Sequence, residues 1–260
     1  MKIKVLMIIL FATVTLARAE MDWATMTLKV TGGNPQETAD FLKTDLYKLA
    51  YDETNTVGNY LSMHYDREYR LANLLNEYRT MNQQYLTDGN IQYALQLPLT
   101  PKIIGLLLPD QKPVTLVVPM LCPTCGEEWP KDRAVPEGAT LVPKELENAE
   151  YTGVVIDCRN LKLVPSLFPK VYNDQGQEVF SINFCDPGMV VEGGLVLYTT
   201  SEPFNESRVG YNPLRVQALG TSGANPTDIR ISSYDARRLH GSKKNLNLLK
   251  ECRIAIIISH

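Results

Sequence analysis

Histidine is scarce in this chain, and the familiar active-site motifs are missing from it. The three histidines are His64, His240 and His260, and none stands near a candidate acid or nucleophile in the sequence. The commonest general acid–base residue therefore has no candidate partner. The sequence also lacks a Gly-x-x-x-x-Gly-Lys phosphate loop and a Gly-x-Ser-x-Gly nucleophile elbow. These absences predict a protein that is not an enzyme and that takes no cofactor.

An excess of positive charge is missing as well. The chain has 26 Lys and Arg against 29 Asp and Glu, for a formal net charge of −3. No cluster of basic residues with interleaved aromatic residues occurs, although such a cluster is the usual electrostatic footprint of a nucleic-acid-binding protein. We therefore expect no nucleic-acid partner.

The first apolar run, Val5 to Leu16, is too short for a membrane span, because it has about half of the roughly 20 residues that a transmembrane helix needs. Lys2 and Lys4 precede the run, and Ala17-Arg18-Ala19 follows it. A positive start, an apolar middle and small residues at the end are typical of a secretory signal peptide. We predict cleavage after Ala19 and export to the periplasm or the outer-membrane periphery of a bacterium. Because the first cysteine is Cys122, we expect no lipidated N-terminus and at most a peripheral membrane association.

Prolines recur from Pro109 to Pro143 and interrupt every periodic pattern in that stretch, which is typical of a connecting loop. The chain left after cleavage is long enough for two domains of ordinary size. The predicted organisation is a signal peptide (1–19), an α+β module (20–108), a Pro-rich connecting loop that contains Cys-Pro-Thr-Cys (109–150) and a strand-rich α+β domain (151–260).

The first half shows helical periodicity between two alternating segments. Apolar residues at steps of three and four predict one helix from Gln36 to about Leu61 and a second from Tyr69 to Tyr85. Alternation predicts strands at Trp23–Val30 and Ile91–Leu97, with a turn at 87–90. The pattern indicates an α+β module in which helices lie between strands.

The second half consists of short apolar runs between turn residues, which predicts many strands. Asn173-Asp174-Gln175-Gly176 predicts a hairpin turn, with Gly176 free to adopt a positive φ. A single helical insertion is expected at Tyr234–Lys250. The final run, Ile254 to Ser259, is β-branched and apolar, and this composition is typical of a central strand buried on both faces.

The stretch "YLTDGNIQYALQLPLTPKIIGLLLP" places an aromatic residue before Asp-Gly, then an alternating strand and a closing Pro-Leu. This pattern resembles the N-terminal module of the bacterial twenty-kilodalton lipoprotein family and of flagellar assembly protein T. The likeness spans about residues 23–108, and its distinctive positions are Tyr85, Asp88 and Gly89. The resemblance implies an α+β sandwich of helices on a small antiparallel sheet that acts without catalysis in envelope or flagellum-associated assembly. The chain departs from the family in lacking the lipoprotein cysteine.

Two of the five cysteines, Cys122 and Cys125, stand in "LCPTCGEEWP". Haem attachment requires a histidine directly after the second cysteine, and Gly126 stands there instead. A dithiol oxidoreductase requires a helix after the first cysteine. Here two acids and two prolines follow, and we expect Glu127 and Glu128 to raise the thiol pKa.

Zinc is the closer alternative for this pair, since two cysteines on a glycine-completed turn are typical of a zinc knuckle. Structural zinc takes four ligands, and no second pair is evident in the sequence. The other cysteines, Cys158, Cys185 and Cys252, fall in predicted strands and are expected to be small core residues. We therefore predict that Cys122 and Cys125 form a local disulfide or stay a passive pair, with metal binding as a weaker possibility.

These observations predict an exported, non-enzymatic envelope protein that binds or helps to assemble envelope, flagellar or other appendage components. Two alternatives remain open. One is a periplasmic thiol–disulfide protein that uses Cys122 and Cys125, and the other is an adaptor stabilised by zinc at the same two residues.

Overall fold

A computed structural model describes residues 18–77, 82–87, 89–110, 120–130, 132–144, 149–202 and 207–259. Within these ranges the chain forms seven α-helices and several β-sheets. The predicted α+β class is confirmed. Residues 1–17 of the predicted signal peptide lie outside the described residues, as does Asp88.

The first half is a four-stranded antiparallel sheet with helices packed on it, the arrangement that the resemblance of residues 23–108 implies. The strand order is β1-β2-β4-β3, with β1 at Arg18–Asp22, β2 at Thr27–Gly32, β3 at Asn82–Tyr85 and β4 at Ile91–Pro98. The helices are α1 (Pro35–Lys48), α2 (Val57–Ser62), α3 (Tyr65–Glu77) and α4 (Lys102–Leu107). Strand β1 includes Ala19, the residue after which cleavage is predicted.

The prediction of one helix from Gln36 to Leu61 is wrong, because two separate helices occupy this range. Helix α1 is capped by Asn34, whose side chain accepts a hydrogen bond from Glu37 N, and it ends at Lys48. The Asp52 carboxylate then accepts hydrogen bonds from the backbone N–H groups of Thr54 and Asn55, at 2.8 and 2.7 Å. Such local bonds compete with the helix and hold a turn. Helix α2 starts afresh after the N-cap Thr56.

The second predicted helix also ends earlier than its pattern indicates. Helix α3 stops at Glu77. Residues Asn82–Tyr85 form the edge strand β3, which pairs antiparallel with Ile91–Ala94 of β4. The turn between β3 and β4 contains Gly89 with φ 85°, a conformation that glycine adopts without steric cost. Residues 78–81, between the helix and the strand, lie outside the described residues.

Two further sheets build the second half. The parallel sheet has the order β10-β14-β7-β11, with β7 at Val154–Asp157, β10 at Leu197–Thr199, β11 at Leu214–Gln217 and β14 at Ile254–Ile257. The mixed sheet has the order β12-β13-β8-β9, with β8 at Val171–Asn173, β9 at Glu178–Phe180, β12 at Gly220–Ser222 and β13 at Asp228–Ile231.

Two sequence predictions for these sheets are confirmed. Every residue of β14 is buried, and the strand lies between β10 and β7 in the interior of the parallel sheet. The hairpin joins β8 to β9, with Gly176 at φ 77°. Strand β14 ends at Ile257, short of the predicted Ser259.

The expected single helical insertion is corrected to three helices. Pro187–Gly193 forms α5, and the predicted range Tyr234–Lys250 contains both α6 (Ser233–His240) and α7 (Lys243–Lys250). Ser242 divides α6 from α7, because its side chain caps α7 by accepting a hydrogen bond from Asn245 N. Asp186 caps α5 in the same way, and Pro187 provides its first residue. A short 3₁₀ helix at Ile182–Phe184 precedes α5.

The described parts of the connecting loop contain two short strands, β5 (Met120–Leu121) and β6 (Val142–Pro143), which pair antiparallel. The two halves of the chain meet in one continuous hydrophobic core. Leu167 N donates to Ala50 O at 3.0 Å, and Phe168 N donates to Tyr51 O at 2.9 Å. These backbone hydrogen bonds link the first half directly to the second half, independently of the connecting loop.

Candidate functional sites

The Cys122–Cys125 pair lies on a tight turn just after β5. Cys122 N donates to Glu127 O at 2.8 Å, and Gly126 N donates back to Cys122 O at 2.9 Å. Gly126 has φ 74°, which explains why glycine follows the second cysteine. Both cysteines carry free thiols in the structure, and Cys125 is exposed.

Backbone dipoles set the chemistry of this turn. The N–H groups of Cys125 and Thr124 point at the Cys122 sulfur and hold the pKa of that thiol below its ordinary value. The expectation that the neighbouring acids raise this pKa is wrong, because the two N–H groups dominate. Glu128 is in addition paired with Lys144. The turn therefore makes the Cys122 thiol more acidic than an ordinary cysteine thiol.

A complete metal site is not formed around this turn by the described residues. Nowhere in that part of the chain do three or more His, Cys, Asp or Glu side chains gather in a way that could hold a metal ion. Two thiols on one turn supply half of the four ligands that structural zinc takes. Trp129 and Arg133 stabilise the loop instead, with Trp129 Nε1 donating to Arg133 O at 2.8 Å and the guanidinium lying 5.0 Å from the ring centroid.

The other three cysteines are buried, as the sequence predicts, but none lies within a strand. Cys158 directly follows β7, and burial raises the pKa of its thiol to about 12. Cys185 follows the 3₁₀ helix, and Cys252 lies between α7 and β14. The fold brings Cys185 and Cys252 together and leaves Cys158 apart from them.

The histidines within the described residues have structural roles. His64 stacks on Tyr60 with ring centroids 4.2 Å apart, and its Nδ1 lies 2.8 Å from Tyr60 O. His240 Nε2 lies 2.8 Å from Val179 O, and burial lowers the pKa of this imidazole. His260 lies outside the described residues.

Sequence reasoning missed an exposed apolar surface around the start of α3. Met63, the C-cap residue of α2, and Tyr65 and Tyr69 of α3 expose 61, 77 and 71% of their surface, and we call these three residues the α3 ridge. Tyr65 and Tyr69 are four residues apart and therefore share one helix face. Leu71 on the opposite face is fully buried. The feature of the sequence that could have indicated this surface is the presence of two tyrosines, Tyr65 and Tyr69, on the polar face of a helix.

Grooves flank α3 on both sides. One groove, of about 460 Å³, lies between α1 and α3 above β4, and Leu42, Ala72, Leu75 and Leu95 provide its apolar lining. The other, of about 590 Å³, lies between α3 and the helices α4 and α5, where it is lined by Leu74, Leu106 and Val191 among others. An exposed aromatic ridge between two partly apolar grooves is suited to contact with a protein partner, because aromatic residues are enriched at such interfaces.

Comparison with known proteins bears on the second half. Residues 153–260 match the family model described as the second domain of Treponema pallidum Tp0624. The match covers a little under half of the chain and begins one residue before β7. Its description names no activity. No curated protein matches the chain.

None of the helices within the described residues is long and apolar enough to cross a membrane.

Proposed function

We propose that this protein is an exported, non-enzymatic component of a bacterial cell envelope that binds another exported protein through the α3 ridge. The observation that carries the proposal is the exposure of Tyr65 and Tyr69, at 77 and 71%, on a helix whose opposite face carries the fully buried Leu71. Contiguous apolar patches larger than about a few hundred Å² are rare on monomeric proteins and mark sites of interaction.

The surroundings of the ridge support the same proposal. Arg67 is anchored behind it by a hydrogen bond from its Nη2 to Asp110, at 2.9 Å, and its guanidinium lies 5.5 Å from the Tyr60 ring centroid. Helix α3 is therefore held in place on its inner side while its outer side stays open. A preorganised surface loses little conformational entropy on binding, which favours affinity. The partner that fits is a protein whose apolar side chains enter the two grooves.

Export is supported by the sequence of residues 1–19, and a role in envelope or appendage assembly by the resemblance of residues 23–108 to the lipoprotein and flagellar modules. Cell fractionation and mass spectrometry of the native protein test this part. We expect an envelope or periplasmic protein that starts at Glu20 without an acyl group. A cytoplasmic protein with an intact N-terminus would contradict export.

Binding is tested by co-purification from the envelope fraction. The double substitution Tyr65→Ser/Tyr69→Ser should abolish capture of the partner, while the fold persists because both side chains are exposed. The matched control is Tyr211→Ser/Tyr234→Ser, which alters two tyrosines of the second half with 84 and 60% exposure. Equal loss of capture in both double variants, or in neither, would refute the ridge as the binding surface.

A second candidate function is favoured by one observation, the lowered pKa of Cys122. A thiol of lowered pKa beside a second thiol is the arrangement that thiol–disulfide proteins use. Reduction of a model disulfide by the purified protein, lost in Cys122→Ser, would support this function in place of the first. Zinc retained by the purified protein, and lost in the same variant, would support the adaptor.

A further inference from the structure

Two buried cysteines from distant parts of the chain meet at the end of α7. The Sγ atom of Cys185 lies 3.2 Å from Leu249 O, and Cys252 N donates to the same oxygen at 3.0 Å. Sharing one acceptor holds the two residues side by side. The neighbouring backbone reinforces this contact, since Asp186 N donates to Lys250 O at 2.9 Å.

Cys252 occupies an unusual backbone position. Its φ is 54°, in the left-handed region that glycine favours and other residues rarely enter. It follows Glu251, the C-cap of α7, where glycine or asparagine is the usual choice. A strained residue at such a position points to a role for its side chain. The side chain here is a fully buried thiol beside a second thiol.

The surroundings of the two sulfurs shift the pKa values of the two thiols in opposite directions. The neighbouring Cys185 thiol and the Arg208 guanidinium lower the pKa of Cys252, while the nearby Asp186 carboxylate and burial oppose this effect. Contact with Cys252 and burial raise the pKa of Cys185. Arg208 is fixed in place by donating from Nη1 to Gly193 O at 2.8 Å and from Nη2 to Gly194 O at 2.7 Å, and its Nε has no hydrogen-bond partner. One thiol of the pair is thus the better nucleophile.

We propose that Cys185 and Cys252 are a disulfide-forming pair that is oxidised during folding by a disulfide-bearing oxidant. The thiolate of Cys252 attacks one sulfur of the oxidant R–S–S–R, so that its S–S bond breaks and one R–S⁻ leaves. The thiolate of Cys185 then attacks the Cys252 sulfur of the mixed disulfide and displaces the second R–S⁻. The two protons lost by the cysteines pass to the two released thiolates. The pair is oxidised, and the oxidant is reduced to two thiols.

The disulfide would link the segment just before α5 to the segment just before β14, the central strand of the parallel sheet. In the cell this oxidation rests on the proposed export, because disulfides persist in oxidising compartments. The chemistry itself depends only on the two side chains. A test with purified protein is therefore independent of where the chain is located and of the partner that it binds.

The experiment uses the full chain with Cys122→Ser, Cys125→Ser and Cys158→Ala, which leaves Cys185 and Cys252. The protein is unfolded, reduced, refolded in a buffer of reduced and oxidised glutathione, and treated with a thiol-alkylating reagent after unfolding. We expect loss of both titratable thiols, a mass lower by two hydrogen atoms and a reducible peptide that joins the two positions. The urea midpoint should be higher for the oxidised protein than for the reduced one.

The matched control carries Cys122→Ser, Cys125→Ser and Cys185→Ala, which leaves Cys158 and Cys252. Strands β7 and β14 are parallel and in register from Val154 and Ile254, so these two cysteines lie at opposite ends of neighbouring strands. Four residues of strand span roughly 13 Å, beyond the roughly 7 Å limit for the Cα atoms of a disulfide. The control should keep both thiols. The proposal is overturned if the Cys185–Cys252 protein refolds to its native circular dichroism with both thiols free, or if the control cross-links equally.

Discussion

Tyr51 and Phe168 pack edge to face across the junction between the two halves, with ring centroids 4.9 Å apart. Tyr51 also stacks on Tyr60 at 4.1 Å and donates from its hydroxyl to Leu107 O at 3.0 Å. Trp23 and Tyr198 make a second such contact, at 5.3 Å. These aromatic contacts place the two halves in one core, although a Pro-rich loop separates them in sequence.

Phe168→Ala should therefore destabilise the whole chain. Phe168 is 4% exposed, and truncation of a buried phenylalanine costs about 3–5 kcal/mol. We expect urea unfolding to remain a single transition at a lower urea midpoint. Circular dichroism and tryptophan fluorescence should both report this same transition. Leu219→Ala, at a position that is 54% exposed, is the control. Two separate transitions, with the first half unaffected by the change, would mean that the halves fold independently.

Asp228 gives the protein a specific pH dependence. Burial raises the pKa of its carboxyl to about 7, against an ordinary value of 3.8, and the nearby Glu53 adds to this effect. Oδ1 accepts from Lys170 N at 3.0 Å, whereas Oδ2 has no hydrogen-bond partner. From about pH 4 to 7 the folded chain holds a proton that the unfolded chain releases. The free energy of unfolding therefore decreases as the pH rises from about 4 to 7, and the stabilisation that comes from the bound proton is lost by pH 7.

Asp228→Asn removes the ionisation, and its effect should depend on pH. We expect a gain in the free energy of unfolding that grows between pH 5 and pH 7 and stays constant above, on the order of 1–3 kcal/mol. Urea unfolding at several pH values measures it. The matched control is Asp132→Asn, a substitution at an exposed position. A pH-independent effect of Asp228→Asn would contradict the raised pKa.

Ile256→Asp should abolish folding. Ile256 is fully buried in β14, between β10 and β7, and an unpaired charge there loses its hydration without compensation. Circular dichroism of the purified variant checks this outcome. Leu219→Asp introduces the same charge at an exposed position and should leave the spectrum native.

Cys122→Ser/Cys125→Ser should leave stability nearly unchanged. Both side chains lie on an exposed turn, and a disulfide across two residues would close too small a ring to remove much unfolded-state entropy. The urea midpoint should shift by less than the equivalent of about 0.5 kcal/mol, as is usual for surface changes. An unfolded double variant would show that the turn, or a metal bound to it, stabilises the chain.

Local composition predicts those elements whose conformation is determined by the preferences of their own residues. The apolar run at Ile254–Ile257 and the Gly176 turn are of this kind. Strand β3 is different, because its sequence Asn-Gln-Gln-Tyr has no strand pattern and its conformation depends on pairing with β4. The apolar spacing before it continued the helical pattern past Glu77, where tertiary pairing overrides local preference.

The candidate sites divide in the same way. The turn at Cys122 and Cys125 is visible in the sequence because its spacing is local, but the N–H groups that lower the Cys122 pKa depend on the backbone path. The contact of Cys185 with Cys252 joins segments far apart in the chain, and sequence alone does not determine cysteine pairing. The ridge tyrosines stand out only once Leu71 defines the buried face of α3.

The most direct test of the central claim is photo-crosslinking in intact cells from position 69, with Tyr69 replaced by a photoreactive phenylalanine analogue. The same replacement at Tyr211, which is 84% exposed, is the matched control on the second half. We predict one discrete cross-linked product from position 69, identified by mass spectrometry as another exported protein, and none from position 211. No product from position 69 in a chain that is exported and folded, or the same products from both positions, would contradict binding through the α3 ridge.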